Sequence, residues 1–189
     1  MRTDEVKQYY DILIRHEKEL RLKRYFDILL SMILLVILSP IMLVISIAIK
    51  LDSPGPVIYK QVRVTQYGKK FHILKFRTMV QNADKMGKVI RGCRIDEFPQ
   101  LINVFRGEMS FVGTRPEVVK YVKGYTKEMY ATLLLPAGIT SRASVCYKDE
   151  GEMLEHVEDV DYAYIHEVLP EKMSYNLEDL RKYSLWRDF

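Results

Sequence analysis

FDILLSMILLVILSPIMLVISIAIK, residues 26–50, decides the architecture of this 189-residue chain. From Ile28 to Ile49 it runs 22 residues without a charge. At 1.5 Å per residue an unbroken helix of that length is about 33 Å long, enough for a hydrocarbon core of ~30 Å. The run starts too late, is too long and lacks the small-residue exit of a secretory signal. A transmembrane helix is the plain reading, and the core helix of a soluble protein the weaker one. Ser39-Pro40 falls in the middle of the run. Proline removes an amide donor and crowds the preceding turn, so a kink is expected, with the Ser39 hydroxyl able to satisfy a freed carbonyl. Arg21, Lys23 and Arg24 precede the run; Lys50, Lys60, Arg63, Lys69, Lys70, Lys75 and Arg77 follow it. Positive charge on both flanks gives no inside–outside asymmetry. Two geometries stay open on these residues: a spanning helix, or a re-entrant one that turns near Ser39-Pro40 and leaves on the face it entered.

Composition bounds the rest. A hydrophobic fraction of 48% against 29% charged excludes a disordered chain and provides for one compact domain. The net charge of +4 is compatible with anionic lipid, nucleotide phosphate or nucleic acid and does not choose among them. Cys93 and Cys146 lie far apart without metal or redox spacing, which points to a reducing compartment. The four histidines form no zinc pattern.

Beyond the apolar run, LDSPGPVIY at 51–59 is a rigid turn region. Residues 57–64 and 70–76 read as two strands joined through Gln66-Tyr67-Gly68, a β-hairpin. Its basic residues can face headgroups or phosphate, the plain alternative being solvated edge charges. Residues 78–90 include a short helix or loop with Asp84 and Lys85. Then comes RGCRIDEFPQLINVF, residues 91–105, with Asp96 and Glu97 side by side. Phe98, Leu101, Ile102 and Phe105 recur at helical steps, with Pro99 in the first turn and Asp96 at the N-cap. A helix cap is the plain structural role for Asp96. Arg91, Arg94 and the glycine-flanked Arg115 of GEMSFVGTRPE surround the pair. Carboxylates with arginines around glycine turns suit phosphoryl transfer: a carboxylate attacks phosphorus or holds Mg2+, and guanidinium groups stabilise the oxygens. Structural ion pairing is the alternative.

These elements, in order, resemble the bacterial sugar transferases, the monotopic polyprenyl-phosphate phosphoglycosyl transferases. The resemblance rests on KRYFD at 23–27, the run broken at Ser39-Pro40, SPGPVIYKQVRV at 53–64 and GKKFHILKFRTM at 68–79. It continues in RIDEFPQLINVFRGEMSFVGTRPE at 94–117, PAGITS at 136–141 and the C-terminal 161–189. It implies transfer of a sugar phosphate from a UDP-sugar to polyprenyl (undecaprenyl) phosphate, giving the polyprenyl-diphosphate-sugar and UMP as a first membrane step of glycan assembly. By resemblance Asp96 is the nucleophile that forms a covalent phosphosugar intermediate, and Glu97 its partner acid, linked to Mg2+. Arg91 and Arg115 match phosphate-binding arginines, and Lys60 lies in the basic hairpin pattern. The resemblance further implies a re-entrant anchor on the cytoplasmic face of the bacterial inner membrane, lipid bilayer and downstream glycosyltransferases as partners, and no nucleic acid. Two departures stand out: Thr114 replaces the usual proline of the loop, and Arg94 stands where small polar residues are common. The resemblance is to the minimal form, expected without a multi-span domain ahead of the anchor, and the family pattern commonly continues beyond the SLWRD element.

The expected fold is therefore α+β. Residues 1–50 form an N-terminal segment with a helix-break-helix membrane anchor, and residues 51–189 a small interfacial catalytic domain with a β-hairpin and several amphipathic helices. In the tail, 150–169 reads as a helix with Met153, Val157, Val160, Tyr164 and Val168 on its apolar face, ended by Pro170. YNLEDLRKYSLW forms another, with Leu185 and Trp186 in the core or at a membrane interface. A membrane phosphotransferase with direct metal-assisted transfer, and a non-catalytic membrane assembly protein, are the competing functions.

Overall fold

The structure, a computed structural model, describes residues 3–52, 54–78, 92–147 and 158–187. Arg91, the 79–90 segment and Met153 and Val157 lie outside the described residues. The chain folds as an α+β protein: one long apolar helix near the N-terminus and a small domain of helices and two short sheets. Helix α1, Asp4–Arg15, leads almost directly into α2, Glu17–Asp52. Strand β1, Ile58–Val64, pairs antiparallel with β2, Lys70–Phe76, across a 3₁₀ turn in which Tyr67 takes a positive φ of 58°. Helix α3, Gln100–Arg106, is followed by β3, Met109–Val112, and the short α4, Val119–Val122. Strand β4, Ala137–Thr140, pairs parallel with β3 and leads into α5, Arg142–Cys146. Helix α6, Val160–Ala163, passes through a π-helical turn, Tyr164–Val168, into α7, Leu169–Arg181.

Helix α2 is one uninterrupted helical element of 36 residues, about 54 Å if straight, where two helices separated by a break were expected. The chemistry at its centre explains its continuity. Pro40 cannot donate to the Val36 carbonyl, and Ser39 Oγ donates to that carbonyl instead at 2.8 Å. Met32, Ile33, Val36, Ile37, Ile41, Leu43, Val44 and Ile47 are exposed, so this helix is long and apolar enough to cross a membrane and lies largely outside the packed domain.

Pro170 does not end a helix. It occupies the first turn of α7, where a missing amide costs little, and the preceding π turn shifts the hydrogen-bond register ahead of it. Val160 is exposed, whereas Tyr164 and Val168 are buried. Leu185 belongs to the interior at 7% exposure and Trp186 faces outward at 84%.

Among the described residues the core is assembled in three clusters. Val6, Tyr9 and Leu13 of α1 pack with Leu134, Leu177 and Leu180. Val64, Met129, Leu133, Tyr164, Leu169 and Met173 form the second. Phe71 and Ile73 of β2 close on Val104 and Met109 in the third, which sits beneath the acidic pair. Asn103, fully buried, fixes α3 to β2: Leu74 N donates to its Oδ1 at 3.1 Å, and its Nδ2 donates to His72 O at 2.9 Å and Glu108 Oε2 at 2.7 Å.

Candidate active site

Asp96 and Glu97 sit in a 3₁₀ turn, Ile95–Glu97, that precedes α3. Arg94 begins the turn in the left-handed region, φ 53°, and its carbonyl accepts the Glu97 amide at 3.1 Å. Glycine is the usual residue there, so Arg94 carries a backbone cost on the order of 1 kcal/mol. The N-cap position of α3 is held by Pro99 without a side-chain cap, so Asp96 is not the cap that its spacing suggested. The helical steps beyond it had merged a turn and a seven-residue helix into one.

Glu97 is the electrostatic centre. Its Oε1 accepts from Lys75 Nζ at 3.0 Å and from Arg115 Nη2 at 2.9 Å, with the carboxyl side chain only 10% exposed. Burial pushes this carboxyl up, but the Arg115 and Lys75 charges and their hydrogen bonds together outweigh it and hold it below the usual range. Asp96 behaves in the opposite way. Burial raises it, Lys75 and Arg115 pull it down, the neighbouring Glu97 charge adds to the rise, and the balance is a raised carboxyl. One acid is thus a fixed, neutralised anion, and the other a poorly solvated carboxyl beside two cations, the state suited to a nucleophile.

Backbone packing places Arg115. Gly113 and Gly138 cross at close range: a Cβ on Gly138 would stand 2.2 Å from the Gly113 nitrogen. The Gly113 amide donates to Thr140 O at 3.0 Å and the Gly138 amide to Thr114 O at 2.9 Å. The loop beyond β3 is thereby pinned to β4, with Arg115 directed at Glu97. Thr114, which stands in place of the usual proline, contributes its carbonyl to that pinning.

The structure thus brings Asp96, Glu97 and Arg115 together. Lys60 is exposed on β1 opposite Leu74, on the face of the ribbon away from Lys75, and does not join them. Lys75 takes the cation position instead. Phe71 and Ile73 are buried on one face of β2 and Lys75 lies on that same face, so its charge points inward; Leu74 and Phe76 are buried as well, so alternation in the sequence does not mark that face. The KRYFD stretch also has jobs that spacing did not assign. Arg24 Nη1 and Nη2 donate to Val104 O and Phe105 O, at 2.7 and 2.8 Å, on the open C-terminal end of α3. Asp27 Oδ1 accepts the Phe111 amide at 3.1 Å, tying α2 to β3.

An apolar cavity of about 500 Å³ opens beside the acidic pair. Leu34 and Leu38 of α2 form one wall, Phe98, Leu101 and Val145 another, with Glu97 and Arg94 among its polar groups. The Arg94 side chain forms no hydrogen bond or ion pair with the described residues.

For Mg2+, no cluster of three or more His, Cys, Asp or Glu occurs among the described residues. Mg2+ commonly takes only one or two carboxylates with substrate phosphates. The described side-chain bonds to Glu97 both fall on Oε1, which leaves Oε2 for that donor set.

Residues 18–189 match the bacterial sugar transferase family, and the chain belongs to it. It is 36% identical over 186 residues to the UDP-N-acetylgalactosamine-undecaprenyl-phosphate N-acetylgalactosaminephosphotransferase of Aeromonas hydrophila, covering 88% of this chain and 41% of that protein. It is 35% identical over 185 residues to the UDP-glucose:undecaprenyl-phosphate glucose-1-phosphate transferase of Klebsiella pneumoniae, covering 88% and 37%. To the protein of the same description from Caulobacter vibrioides it is 33% identical over 184 residues, covering 88% and 65%. The chain spans about two fifths of the length of the first two relatives.

Proposed function

We propose that this chain transfers a sugar phosphate from a UDP-sugar to polyprenyl phosphate through a phosphosugar-aspartate intermediate. The carrying observation is Asp96, a buried carboxyl beside the Glu97–Lys75–Arg115 cluster, whose Glu97 lines an apolar cavity walled by the membrane helix. In this reading an Asp96 oxygen attacks the sugar-linked phosphorus and the bond to the UMP oxygen breaks. UMP leaves with the electron pair. An oxygen of the lipid phosphate then attacks the same phosphorus, the aspartyl bond breaks, and Asp96 returns as carboxylate. Arg115, and Arg91 outside the described residues, would neutralise the phosphate oxygens, and Lys75 holds Glu97 ionised. Bound Mg2+ would supply further charge neutralisation on the diphosphate, held by Glu97 Oε2. The cavity suits an isoprenoid tail, with the Arg94 guanidinium near its phosphate.

The anchor reading is re-entrant, with both ends on the cytoplasmic side of the bacterial inner membrane. Its support is connectivity. Arg24, before the apolar run, is bonded to α3, and α3 is bonded through Asn103 to β2. The chain from Asp52 to Ile58 reaches at most about 21 Å before β1 pairs with that same β2. Both ends of the run thus attach to one small domain. Cysteines placed at residues 22 and 52, with Cys93 and Cys146 replaced, should react from one side only; opposite sides would restore the spanning helix. Downstream glycosyltransferases would consume the product.

Mass spectrometry of the protein incubated with a panel of UDP-sugars and no lipid tests the chemistry. A phosphosugar adduct on Asp96 with stoichiometric UMP release is expected. No adduct in a protein that turns over fully once polyprenyl phosphate is added would favour direct metal-assisted transfer, and no turnover with polyprenyl phosphate and any UDP-sugar would favour the assembly role.

A further inference from the structure

Three polar side chains are buried together behind the Arg115 loop, outside the reacting cluster. Tyr164 Oη donates to Glu117 Oε1 at 2.6 Å, and Lys172 Nζ donates to Tyr164 Oη at 2.9 Å. Lys172 Nζ stands 3.7 Å from Glu117 Oε1, and the two charged side chains are 6% and 7% exposed. The Tyr121 ring lies against Tyr164 at 4.4 Å between centroids. Tyr164 opens the π-helical turn and Lys172 lies in α7, about 12 Å of ordinary helical rise away, yet their polar ends meet over Glu117.

Glu117 is two residues from Arg115, and the backbone between them is held from β1. Arg63 Nη1 donates to Pro116 O at 3.1 Å and the Val64 amide donates to Glu117 O at 3.0 Å. A buried ion pair is rarely the most stabilising way to join two elements, since apolar replacements often do as well. It does impose direction, because a shared hydroxyl with one donor and one acceptor partner admits few geometries. We infer that Glu117, Tyr164 and Lys172 form a positioning brace that sets Arg115 against Glu97, making the C-terminal helix part of the phosphate-binding machinery.

The inference rests on reading Arg115 as a phosphate-binding group of the proposed transferase, and the test separates the two. The full chain in detergent micelles is compared with Glu117→Gln, Lys172→Met and Tyr164→Phe. The last removes only the bridging hydroxyl and guards against loss of folding. For UMP release from a UDP-sugar, kcat/KM should fall about tenfold in each, and the same changes in an Arg115→Ala background should add no further loss. Losses that multiply in that background would overturn the brace. Hydrogen exchange reads it without turnover. The Val64 amide should exchange faster in Tyr164→Phe, while the Thr65 amide, bonded to Lys69 O within the turn, stays unchanged. Unaltered exchange at Val64 overturns the inference whatever the substrate is. Absence of turnover in the parent chain would defeat the transferase reading and leave the exchange result to decide the brace.

Discussion

Replacing Lys75 by Met removes one of the two cations on Glu97 Oε1 while keeping the apolar stem. At 3.0 Å and an effective dielectric of ~20, the gross attraction is about 5 kcal/mol. Most of that is offset, because a lysine side chain that is 23% exposed no longer has to be desolvated and Arg115 remains at 2.9 Å on the same oxygen. A net loss of about 1–2 kcal/mol at neutral pH is expected, read by thermal unfolding in detergent. The pH dependence has a definite sign. The Glu97 carboxyl is lowered in the folded state, so its stabilisation is present above the unfolded carboxylate value and is lost as pH falls through the folded one. The gap between parent and Lys75→Met should therefore be widest at neutral pH and close on acidification. Lys75 is also the strongest charge holding Asp96 down, so the acid limb of kcat/KM should move to higher pH in Lys75→Met. In Glu97→Gln an anion is removed and the limb should move to lower pH. Shifts of the same sign in both variants, or none, would refute the electrostatic account of the site.

Asp96→Asn should abolish adduct formation while making the protein more stable above the usual carboxylate range. The Asp96 carboxyl is raised on folding, so its ionisation works against the folded state as pH rises through the folded value; a melting temperature above the parent at neutral pH is the readout. Arg24→Met should cost about 1.5–3 kcal/mol, since it deletes charged hydrogen bonds to two carbonyls, and limited proteolysis should then cut more readily between α2 and the domain. Gly138→Ala should cost about 3 kcal/mol or more and depress transfer, because its methyl group meets backbone rather than a movable side chain. Circular dichroism melting checks the first effect and UMP release the second.

Much of the fold was legible because its signals are local. Twenty-two uncharged residues identify the long helix, and two strand-like stretches around Gln66-Tyr67-Gly68 identify β1 and β2. Asp96, Glu97 and Arg115 were legible as a group only because whole ordered motifs carry a family resemblance; their spacing alone was equally good for a helix cap and a loop arginine. The 150–169 reading erred at Pro170 because a π turn changes register without leaving a mark in apolar periodicity. Arg24 and Asp27 had no local signal, since their partners, Val104, Phe105 and Phe111, lie about eighty residues away.

By itself the sequence determined a chain with one membrane-length helix, an acidic pair among basic residues and a mixed α+β domain, because hydrophobic patterning and turn chemistry act over a few residues. Only the tertiary structure decided which cation meets Glu97. Lys75 and Lys60 are equally basic and both lie in the hairpin that follows the apolar run, but the β pleat sends them to opposite faces, and only Lys75 shares the face that packs on α3. The unequal pairing of the two acids was decided there too. It is the packing of a 3₁₀ turn against β2 and the Arg115 loop that makes one carboxylate a paired anchor and leaves the other raised.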